Sequence, residues 1–117
     1  MITAVFYKKG SDFSGFRVSG HAGYDDHGFD IVCASVSSAV ELAADLITDY
    51  FKIKAETEVA DNAVTLEIAE ISEENQKIAS KIIEGLKVHL DFLGKSFERT
   101  IKIEIRRKIN ARRCKIC

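Results

Sequence analysis

Apolar residues in this chain recur at two periods, and the order in which those periods alternate limits the folds open to it. Ile2, Ala4 and Phe6 alternate with other residues from Ile2 to Lys8, the period of a strand. Gly10-Ser11-Asp12 is turn chemistry, and Phe13 to Gly20 reads as the partner strand, with Phe16 and Val18 on one face. From about Ile31 to Tyr50 the period becomes helical: Val36, Val40, Ala43, Ile47 and Tyr50 recur three or four residues apart, while Glu41, Asp45 and Asp49 mark the solvent side. Alternation returns in Ile53 to Val59 and Ala63 to Ile68, joined by Asp61-Asn62, a pair suited to the positive φ of a tight hairpin turn. Ser72 is the expected N-cap of a second helix, with Glu73 and Glu74 in its first turn and Gly94 as its expected C-cap. That helix runs to about Leu93, with Ile78, Ile82, Leu86, Leu90 and Leu93 as its stripe. Phe97 to Arg107 is the clearest strand, with Ile101, Ile103 and Ile105 inward and Lys102, Glu104 and Arg106 outward.

The order ββαββαβ predicts an α+β fold: a two-layer sandwich with one mainly antiparallel sheet and both helices on one face. At 117 residues the chain is expected to form one domain over 1–107. Residues 108–117 form a basic tail expected to be mobile. Seventeen basic residues nearly balance eighteen acidic ones, so no global field argues for nucleic acid or an anionic surface as partner. Read residue by residue, no apolar run approaches the roughly 20 residues of a membrane span. The first residues lack the charged start of a signal peptide, which points to the cytoplasm. Three cysteines, with Cys33 far from Cys114 and Cys117, do not make a disulfide framework.

Chemistry concentrates between Gly20 and Ser38. His21 stands at the expected end of the second strand, and Cys33 at the expected start of the first helix, twelve residues later. A helix N-terminus favours thiolate over thiol. A nearby imidazole takes the thiol proton and then holds the anion as an ion pair, the minimum equipment of a cysteine nucleophile. Without His21, Cys33 would read as a small buried hydrophobe. Asp30 has the position of an N-cap, which is compatible with fixing the loop or orienting His21. It is a poor direct base for Cys33, since a carboxylate there would hold the thiol protonated. Ser37 lies one turn after Cys33 on the same face, where its hydroxyl either enters the site or merely lets the helix pack closely.

Gly20-His21-Ala22, a short loop, and then Asp30-Ile31-Val32-Cys33-Ala34-Ser35-Val36-Ser37 resemble the ribosomal-processing cysteine proteases of the Prp family. The resemblance implies a peptidase that removes the N-terminal extension of protein twenty-seven of the large ribosomal subunit. It implies Cys33 as nucleophile and His21 as base, with Gly20, Asp30 and Ser37 as supporting residues. It also implies a homodimer and a removed segment ending in aromatic residues, so that an apolar slot should flank Cys33; no cofactor is expected.

Other combinations are weaker. His27, Asp25 and Asp26 with His21 are ordinary loop chemistry rather than a metal set. Cys114-x-x-Cys117 has the spacing of half a zinc site but lacks a second pair. His89 has no visible partner. The alternative function is a non-catalytic, ribosome-associated binding module that uses the loop and the basic tail and keeps Cys33 as a structural residue. Contact with nucleic acid is not required by either function.

Overall fold

The computed structural model describes residues 1–20, 27–70 and 72–108, with the backbone alone for 27–30. Strands β1 (Ile2–Lys9) and β2 (Asp12–Ser19) form a hairpin whose turn contains Gly10 at φ +66. Helix α1 (His27–Asp45) continues into a wider π turn over Leu46–Tyr50. Strands β3 (Ala55–Ala60) and β4 (Ala63–Ile68), helix α2 (Glu73–Ser96) and strand β5 (Ile101–Arg107) complete the order ββαββαβ. This is the α+β fold the periodicity predicts.

The five strands lie in the order β3-β4-β2-β1-β5. All neighbours pair antiparallel except β1 and β5, which run parallel. The register puts Phe6 opposite Phe16 and Phe16 opposite Leu66, so period-two side chains from three strands meet on one face. All three are fully buried, together with Val32, Ile47, Ile83 and Leu90 from the helical layer. Each such side chain contributes about 1.5–3 kcal/mol on burial. Helix α2 is fixed to β2 by a buried hydrogen bond, Phe13 N–H to Ser80 Oγ at 2.9 Å.

Several boundaries differ from the sequence reading. Helix α1 begins at His27, before the expected start near Ile31, so Asp30 stands in its first turn and the N-cap role assigned to it does not hold. Ser72 caps α2 as expected, accepting from Asn75 N–H, but the helix runs through Gly94 to Ser96. Its end is closed by Phe97 N–H donating to Leu93 O at 2.9 Å. Strand β5 therefore starts at Ile101 rather than Phe97, and Ile105 is half exposed. The two-residue turn between β3 and β4 is formed without positive φ at Asp61 or Asn62. Lys108, read as tail, donates its backbone N–H to Lys8 O and extends the β1–β5 pairing by one residue. The rest of the tail, with Cys114 and Cys117, lies outside the described residues.

By length and mean hydropathy, Ile31–Tyr50 is a helix able to cross a bilayer, where the sequence reading finds no such run. In the fold, Val36, Val40, Ala43 and Ile47 bury one stripe of this segment in the core, while Glu41, Asp45 and Asp49 are exposed on it.

Candidate active site

Three chain segments converge at one end of the sheet. Gly20, just past β2, donates its N–H to Asn62 O in the β3–β4 turn at 2.8 Å. Its φ is +88, and a Cβ added there would stand 2.6 Å from Met1 O at the start of β1. Only glycine meets both demands without displacing backbone. Gly20→Ala is expected to destabilise the domain by roughly 1–3 kcal/mol and to lower activity with it, because the strand end that leads into His21 must shift. Thermal unfolding and peptide cleavage measured side by side check this.

Helix α1 lies over that end of the sheet and leaves a cleft of about 560 Å³. From the helix, Cys33, Val36, Ser37, Val40, Glu41 and Ala44 line it. Ile2, Val18 and Gly20 close it from the central strands, and the turn from Val59 to Val64 forms the far wall. Cys33 is half-buried, with one side packed against the core cluster. The apolar slot expected beside Cys33 is thus present, with a floor of Val18, Val36, Val40 and Val64. Among the described lining residues the charged ones are Glu41 and Asp61, both acidic.

Of the five expected site residues, Gly20, Cys33 and Ser37 line this one cleft. His21 lies outside the described residues, and Asp30 is described by its backbone alone, inside α1. The helix start changes the electrostatics. Cys33 is the seventh residue of α1, and the dipole effect falls off within the first turn. The N–H groups of 27–29 have no acceptor within the helix, and they lie a turn or more before Cys33 rather than at Cys33 itself. Stabilisation of a Cys33 thiolate therefore falls mainly to a cationic neighbour, the part His21 is expected to play.

Two contributions to the cleft escape the sequence reading. Glu41 is exposed, as expected, but stands at the cleft rim, eight residues and two turns beyond Cys33. Its i+4 spacing from Ser37 was the available signal. The Val59–Asn62 wall had none, because it depends on the pairing of β4 with β2.

Residues 1–102 match the family model of the cysteine protease Prp. The chain belongs to the Prp family of cysteine proteases. Solved structures share its fold. The protein SMU.848 from Streptococcus mutans is 20% identical, with a TM-score of 0.76 over 92% of this chain and 96% of that one. The essential ribosomal processing protease Prp from S. aureus, in complex with a substrate peptide, is 18% identical, with a TM-score of 0.77 over 90% of this chain and 99% of that one. The same S. aureus protease with a covalently linked product peptide gives 19% identity and a TM-score of 0.76 over the same shares. At these identities the likeness is one of fold. No curated protein matches the chain.

Proposed function

We propose that this cysteine protease removes the N-terminal extension of protein twenty-seven of the large ribosomal subunit, with Cys33 as nucleophile and His21 as base. The observation that carries the reading is the position of Cys33, half-buried in an apolar cleft beside the strand end that leads into His21. His21 takes the Cys33 proton, and the thiolate attacks the scissile carbonyl. The C–N bond breaks as the imidazolium gives its proton to the leaving amine. Water, deprotonated by His21, then cleaves the thioester, releasing the carboxylate product and restoring the thiol. The backbone N–H groups at the start of α1 are candidate donors to the oxyanion. The valine floor suits the aromatic end of the removed segment. S. aureus Prp, which shares the fold, is described as a ribosomal processing protease, and this supports the ribosomal substrate. Such a substrate places the enzyme in the cytoplasm.

Incubation of the purified chain with the ribosomal protein precursor from the same organism, read by mass, tests this. The expected result is one cut that removes the extension. An intact precursor, together with ribosome binding that survives Cys33→Ala, would favour the binding module instead.

The enzyme is further proposed to act as a homodimer. Leu42, Val88 and Phe92 are 61%, 60% and 62% exposed on α1 and α2, and an apolar groove of about 670 Å³ lies between the two helices. Apolar surface of this kind marks an interaction site. Sedimentation equilibrium giving a monomer at all concentrations would remove the dimer.

A further inference from the structure

The cleft that holds Cys33 is apolar below and of one charge above. Cys33, Ser37 and Glu41 follow one another at i+4 spacing along α1, so Glu41 stands on the same wall, about 12 Å beyond the thiol along the helix axis. Asp61 faces the cleft from the β3–β4 turn. Among the described residues, no cation lines the cleft and none pairs with Glu41 or Asp61. The valines between thiol and carboxylate offer an apolar track of the kind on which the aliphatic stem of a lysine or arginine lies while its head reaches an acid.

We infer that Glu41 is a specificity-determining residue that selects a basic side chain on the substrate, about three or four residues from the scissile bond. The position follows from the rise of an extended peptide, about 3.3 Å per residue, set against the separation of Glu41 from Cys33. The inference rests on the protease reading with Cys33 as nucleophile. Glu41 is exposed, so its preference is modest and sensitive to salt.

Short peptides with two phenylalanines before the scissile bond test it. Lysine or glutamine is placed at the third or fourth residue from that bond, on one side or the other, and the full chain cleaves each at low and high salt. At one of these positions the lysine peptide is expected to be cleaved roughly three-fold more efficiently than its glutamine counterpart. The difference should sit in KM rather than kcat and shrink in high salt. Glu41→Gln should erase the ratio, and Glu41→Lys should reverse it in favour of a glutamate peptide. Asp45→Asn, on an exposed residue of α1 away from the cleft, should leave it unchanged. Equal cleavage of lysine and glutamine peptides at every position overturns the inference, as does a ratio that survives Glu41→Gln. If the wild-type chain cleaves neither these peptides nor the precursor, the protease reading falls, and the inference with it.

Discussion

Cys33→Ala is expected to reduce peptide cleavage by at least about a thousand-fold, since a nucleophile has no substitute in acyl transfer. The same change should leave the domain folded. Cys33 is half-buried and only partly packed into the core, so removing its sulfur costs on the order of 1 kcal/mol. The contrast is the test: a large loss of rate with a small shift in unfolding midpoint. Cleavage of the precursor by Cys33→Ala at the native rate would end the protease mechanism. A collapse of stability would instead mark Cys33 as a packing residue, the role a helical cysteine has by default.

His21→Ala is expected to have the next largest effect, about a hundred-fold to ten-thousand-fold on rate, the span of a positioned acid–base group. It should also slow alkylation of Cys33 by iodoacetamide near neutral pH. The position of Cys33 in α1 gives this prediction its weight. Cys33 is seven residues into the helix, beyond the first turn where the helix N-terminus acts, so the proposed mechanism relies on His21 to hold the anion. Loss of cleavage without any change in alkylation would give His21 a role in substrate binding or leaving-group protonation, but not in holding the anion.

How much of this was legible in the sequence depends on the kind of signal each part gives. The alternation of Ile2, Ala4 and Phe6 and of Phe16 and Val18 gives two strands of the sheet, because period two admits little else. The pairing of β5 beside β1, in parallel, was not legible: alternation names a strand and its inward face but not its neighbour. The start of α1 was hidden by composition. His27-Gly28-Phe29-Asp30 holds weak helix formers, and tertiary context overrides such a preference. Gly94 misled in the same way. It reads as a helix stop, yet α2 continues to Ser96, with Leu93 buried and Phe97 packed on the core beyond it.

In the site, Cys33 and Ser37 could be gathered from sequence because they share one helix face, whereas Gly20 came from the family resemblance alone; all three line the cleft. Glu41 followed the same spacing but was assigned to solvent on charge alone. The β3–β4 turn was out of reach, because its place in the cleft comes from the β2–β4 register and from the hydrogen bond of Gly20 to Asn62.

The central claim is that the thiol in the cleft forms the covalent bond to substrate. A peptide ending in two phenylalanines and a chloromethyl ketone, incubated with the full chain and mapped by proteolysis and mass, tests it most directly. The account predicts a single adduct on Cys33, formed far more slowly in His21→Ala. An adduct on Cys114 or Cys117 in its place, or an unmodified Cys33 in a chain that still cleaves the precursor, would contradict it.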